Sequence, residues 1–141
     1  MGWTFTNQTK AALVAELLQD WESVIDDSDF SRRYYPNIPA GTRITSKAIR
    51  HRLVGNELWY VRETVRTFPD GRQESERWIG VDLLESNGRG WGYKSMSEDM
   101  GPYYYGCPVE YLELAPQPES EYAGKWREAI RARNAPQLVT A

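Results

Sequence analysis

At 141 residues and a net charge of −3, the chain has the size of a single domain and enough length to bury one core. Hydrophobic residues at 40% and charged residues at 26% exclude a disordered chain, and no apolar run approaches the roughly 18 residues of a membrane span. A lone cysteine, Cys107, excludes an internal disulfide, and a lone histidine, His51, leaves a zinc site half its ligands short.

Taken in chain order, Leu13, Val14, Leu17, Leu18 and Trp21 form one apolar stripe of an amphipathic helix over residues 8–25, capped by Thr6 or Asn7. Asp26, Asp27, Ser28 and Asp29 should end it, because short polar side chains compete for backbone hydrogen bonds. Residues 32–41 carry two prolines and two tyrosines and read as an irregular connection. The period then changes from helical to two. Strands are expected over residues 43–53, 58–67, 76–84 and 91–94, joined by turns at Gly55-Asn56-Glu57, Pro69-Asp70-Gly71 and Asn87-Gly88-Arg89-Gly90. A loop over residues 95–108 follows, and the alternation over 109–114 suggests a fifth strand. After the Pro116-Gln117-Pro118 spacer, Tyr122, Trp126 and Ile130 lie four apart, the stripe of a docked helix capped by Ser120 and stopped by Asn134 and Pro136. The expected fold is α+β: a four- to five-stranded antiparallel meander with N- and C-terminal helices on one face. Residues 1–136 are expected to form one domain and 137–141 a frayed tail. Six Trp, nine Tyr and three Phe agree with a sheet-rich chain.

Several constellations bear on chemistry. Gly88, Gly90 and Gly92 form a G-x-G-x-G array, but it sits between two strands, where no helix N-terminus follows to hold phosphate. Cys107 and His51 allow a thiolate–base pair on composition alone. Asp27 with Asp29, and Glu98 with Asp99, are too sparse for a calcium loop. The expectation is therefore no cofactor and no metal.

Two surfaces stand out. Residues 1–30 hold one basic and six acidic side chains, whereas residues 31–66 hold eight basic and two acidic. Arg50 and Arg52 alternate on one strand, Arg62 and Arg66 on the next, with Tyr60 available for stacking. If their faces coincide, that surface suits nucleic acid. The second surface is the loop with Met100 and the run Tyr103, Tyr104 and Tyr105, since tyrosine offers contact area at low entropy cost.

Several stretches resemble one family. They are Met1-Gly2-Trp3-Thr4-Phe5-Thr6, Gly55-Asn56-Glu57-Leu58-Trp59, Arg77-Trp78-Ile79-Gly80, Gly90-Trp91-Gly92-Tyr93-Lys94, Tyr111-Leu112-Glu113-Leu114-Ala115-Pro116 and, most specifically, Met100-Gly101-Pro102-Tyr103-Tyr104-Tyr105 with Cys107-Pro108. The family comprises small proteobacterial proteins of unknown function carried on plasmids, phages and other mobile elements. The chain departs from it at Ser95-Met96-Ser97-Glu98-Asp99, where a more acidic segment is common. The resemblance implies a mobile-element accessory protein in the cytoplasm of a bacterial host. Its specific form would be a counter-defence inhibitor, of anti-CRISPR or antirestriction type, contacting a host defence complex. The expected function is thus non-enzymatic binding of a protein partner, away from the membrane. The Arg-bearing strands give nucleic-acid binding as the alternative, and Cys107 with His51 gives a small enzyme as the third reading. Met1-Gly2 also fits the myristoylation pattern, against which bulky Trp3 counts.

Overall fold

The computed structural model describes residues 4–7, 9–96, 106–115 and 121–134. Six antiparallel strands form one sheet: β1 (Thr4–Asn7), β2 (Trp21–Val24), β3 (Arg43–Val54), β4 (Glu57–Thr67), β5 (Gln73–Ser86) and β6 (Trp91–Ser95). Their order is β1-β6-β5-β4-β3-β2, so the expected meander β3–β6 is the centre and two short strands extend its edges. Turn chemistry sets the register. Gly55 takes a φ of 61°, which glycine adopts without cost, and a two-residue turn pairs Val54 with Glu57.

Among the described residues four helices complete the α+β fold: α1 (Lys10–Leu17), α2 (Asp29–Tyr34), α3 (Val109–Leu114) and α4 (Glu121–Asn134). They do not share one face of the sheet, as the sequence reading expected. Leu13 of α1 packs with Leu58, Tyr60 and Leu84 on one side. Cys107, Tyr111, Leu112 and Ala115 around α3, with Ile130 of α4, pack with Trp59, Val61, Ile79 and Val81 on the other. Alternation along β4 sends residues 58 and 60 one way and 59 and 61 the other, and both rows are apolar. A sheet with two apolar faces needs a cover on each.

Three further elements depart from expectation. The first helix is capped by Thr9, whose hydroxyl accepts from the Ala12 amide, and ends at Leu17 instead of residue 25. Trp21 to Val24 pair with β3 instead, since Trp and Val suit an open strand edge as well as a helical stripe. Residues 29–34, inside the stretch read as polar stop and irregular connection, form α2, capped by the Ser28 hydroxyl. Residues 109–114 are helical, not a fifth strand. Tyr111, Leu112 and Ala115 are buried, a spacing of one and four, while Glu110 and Glu113 face out.

Two buried arginines fix the helices to the fold. The Arg62 guanidinium donates to the carbonyls of Leu17 and Gln19 at 2.8 Å each and to Ser46 Oγ at 3.3 Å. Arg127 donates to the Leu112 and Ala115 carbonyls, both at 3.3 Å. Each places a cation where a helix C-terminus leaves unsatisfied carbonyls and negative partial charge. Among the described residues no helix is long and apolar enough to cross a membrane.

Candidate functional site

The sequence-predicted basic face divides in two. Between Ala48 and Arg50 the β3–β4 register slips by one residue, a bulge that reverses the alternation of β3. Arg50 and Arg52 therefore oppose Val61 and Trp59 on the α3–α4 side, where Arg52 pairs with Glu110 at 2.7 Å. Arg62 and Arg66 lie on the α1 side. Arg62 is buried against the end of α1, and Tyr60 is also buried, so neither offers an exposed contact or stacking surface. The same division separates the proposed nucleophile pair. His51 opposes Tyr60 on the α1 side, while Cys107 is wholly buried in the other core. Burial pushes the Cys107 thiol up to about 12, the opposite of thiolate activation. These side chains form no catalytic pair.

The expected acidic fragment resolves into a turn. Hydrogen bonds from the Ser28 side chain and amide and from the Ser31 hydroxyl, the last two at 2.9 Å, hold the Asp26 carboxyl down at about 2. Asp27 and Asp29 are exposed beside it. Among the described residues no group of three His, Cys, Asp or Glu is placed to hold a metal ion. Met100, Tyr103, Tyr104, Tyr105, Glu98 and Asp99 lie outside the described residues.

The structure assembles a different site around the end of α1. A cleft of about 480 Å³ is lined by Glu16, Leu17, Gln19, Asp20 and Trp21 above, and by Tyr60, Arg62, Asp82, Tyr93 and Ser95 on the sheet. Strand pairing puts these sheet residues on one face. Asp82 opposes Ser95, and Tyr60 opposes Gly80. Gly80 is required there, because a methyl group at that position would enter the Tyr60 ring. The ring thus lies flat across β5, and its hydroxyl hydrogen-bonds Asp82. Asp82 is only 4% exposed. Burial pushes its carboxyl up to about 6, opposed by the Tyr60 hydroxyl and the Arg62 charge. It therefore gains its charge closer to neutral pH than an exposed aspartate does. Glu16, Asp20 and Trp21 are exposed at the rim.

Next to this cleft the sheet has an open edge. β2 pairs only with β3, and Trp21 and Val24 on it are 44% and 54% exposed. The α2 helix that follows buries only Ser31. Its Phe30 and Tyr34 rings lie tilted at 46° with centroids 4.8 Å apart, 66% and 61% exposed. Among the described residues, these four are the exposed large apolar side chains of β2 and α2; Leu53, Val54 and Val109 are exposed elsewhere, on β3 and at the start of α3.

Sequence reasoning missed both features. A lone Asp in the alternating Val81-Asp82-Leu83 reads as a solvent-facing residue, and Trp21 reads as helical. The available signal was that Leu58, Tyr60, Trp78 and Leu84 make the Asp82 side of the sheet apolar as well. Comparisons with family models, with curated proteins and with solved structures find no match to this chain.

Proposed function

We propose that this is a non-catalytic binding protein that acts by contact with another protein through the β2–α2 edge. The carrying observation is the exposure of Trp21 and Val24 on the unpaired edge strand β2, and of Phe30 and Tyr34 on the α2 helix that follows it in the chain. Large aromatic side chains held in water cost free energy that burial by a partner recovers, and aromatic residues dominate the energetic centres of protein interfaces. An unpaired strand edge also offers backbone donors and acceptors to a docking chain. The resemblance to mobile-element proteins gives this reading its specific form, an inhibitor of a bacterial defence complex. Met100 and Tyr103–Tyr105 belong to the proposal on sequence grounds. The nucleic-acid reading loses its support with the division of the four arginines, and the thiolate reading with the burial of Cys107.

The test compares the tagged protein with a Phe30→Ser/Tyr34→Ser variant in capture from a bacterial lysate. The reading expects a stoichiometric protein partner on the parent chain, lost from a variant whose circular dichroism is unchanged. A partner retained equally by both, or none on either, contradicts it.

A further inference from the structure

We propose that the cleft beneath the end of α1 receives a basic side chain, a lysine ammonium or arginine guanidinium, presented by the protein partner. The inference rests on the protein-contact reading, because Trp21 belongs to both the exposed edge and the cleft.

Three observations converge on an organic cation. The first is charge. Three carboxylates, Glu16, Asp20 and Asp82, line the cleft against one cation, Arg62. That guanidinium is already engaged by the Leu17 and Gln19 carbonyls and by Ser46, so it has little left to offer an anion. An anionic ligand would meet the carboxylates first.

The second is the buried carboxylate itself. Asp82 is more than nine-tenths buried at the cleft floor, oriented by the Tyr60 hydroxyl, with no cation within ion-pair distance among the described residues. Among the described residues only the Tyr60 hydroxyl and the more distant Arg62 charge act on this buried carboxylate, which leaves it short of a direct ion-pair partner. A cation entering above it completes the pair.

The third is the flank. Trp21 and half-buried Tyr93 line the cleft, and aromatic faces attract ammonium and guanidinium groups through the ring quadrupole. Leu17 beside them gives the aliphatic stem of a lysine or arginine an apolar contact. The volume of about 480 Å³ falls within the roughly 300–1,000 Å³ of small-ligand clefts, ample for one extended side chain.

The full-length protein, labelled with nitrogen-15, is titrated with N-acetyl-lysine methylamide at pH 7.5. The norleucine and glutamate analogues serve as neutral and anionic probes. The proposal expects saturable shifts at the Trp21 indole and at the amides of Asp82, Tyr93 and Ser95. Affinity should be at least about tenfold weaker for norleucine, with no saturation by glutamate. Asp82→Asn, close to isosteric, should weaken lysine binding about tenfold while leaving the spectrum otherwise in place. Equal binding of norleucine, no saturable shift with lysine, or an unchanged affinity of Asp82→Asn would each overturn it. The two readings fail separately. If only the cleft assignment is wrong, partner capture survives in Asp82→Asn; if only the contact reading is wrong, the lysine probe still binds a protein that captures nothing.

Discussion

Replacing Arg62 by alanine tests whether one buried cation holds α1 on the sheet. The side chain is 6% exposed and makes three hydrogen bonds, two of them at 2.8 Å to carbonyls at and beyond the end of α1. Gln19 is exposed and its carbonyl is free to turn to water, but Leu17 is half-buried and Ser46 fully buried. Each buried group orphaned costs ~1–3 kcal/mol, and breaking a buried charged network typically costs ~3–5 kcal/mol. Against a total stability of ~5–15 kcal/mol, that loss lowers the urea midpoint substantially at an unchanged slope. Tryptophan fluorescence reports the transition. Arg50→Ala, at an exposed arginine, should stay within ~0.5 kcal/mol of the parent. Arg62→Ala also removes the charge that opposes the rise of the Asp82 carboxyl, so in that variant Asp82 should titrate above its value of about 6. A loss no larger than that of Arg50→Ala, with Asp82 unmoved, would refute the assignment.

Asp82 makes stability depend on pH with a definite sign. Its folded-state value of about 6 lies above the reference of 3.8, so the folded chain holds the proton more tightly than the unfolded one. The cost of ionising it is absent below about pH 4, grows through the interval and is complete above about pH 6, reaching ~3 kcal/mol at 1.36 kcal/mol per unit. Asp82→Asn should therefore be more stable than the parent at pH 7, with the gap closing by pH 4; a gap that widens on acidification would contradict this. Gly80→Ala should destabilise by ~1–3 kcal/mol, because the added methyl displaces Tyr60, and most of that loss should vanish in a Tyr60→Ala background measured by a double-mutant cycle. Additive losses would show that the ring is not the obstacle. Cys107 should resist a thiol reagent at pH 8 in the native state and react once urea unfolds the chain; full labelling without denaturant would contradict its burial.

The central sheet was legible because its turns carry their own chemistry. Gly55-Asn56, Pro69-Asp70-Gly71 and Asn87-Gly88 each supply a residue that tolerates positive φ between alternating segments, and the observed strands β3 to β6 start and stop beside them. What the turns do not encode is irregularity inside a strand. The bulge after Ala48 has no signature in Lys47-Ala48-Ile49-Arg50, yet it decides which face Arg50 and Arg52 occupy, and the candidate basic surface depended on it. The end of α1 was ambiguous for another reason. Trp21 extends the helical stripe of Leu13, Leu17 and Leu18 and equally suits an edge strand; the open edge of β3 and the Arg62 cap on Leu17 and Gln19 decide between them. Asp82 was invisible because strand alternation assigns polar residues to solvent, and this sheet has no solvent face at that point. The site is thus a product of two-sided covering, which local sequence patterns do not report.

Site-specific photo-crosslinking in living bacterial cells tests the contact reading most directly. A benzophenone amino acid at Tyr34, on the exposed α2 face, is compared with one at Arg89, in the turn between β5 and β6 at the far side of the sheet. The account predicts one discrete protein adduct from position 34 and none from position 89. No adduct at position 34, or the same adducts at both, would contradict it.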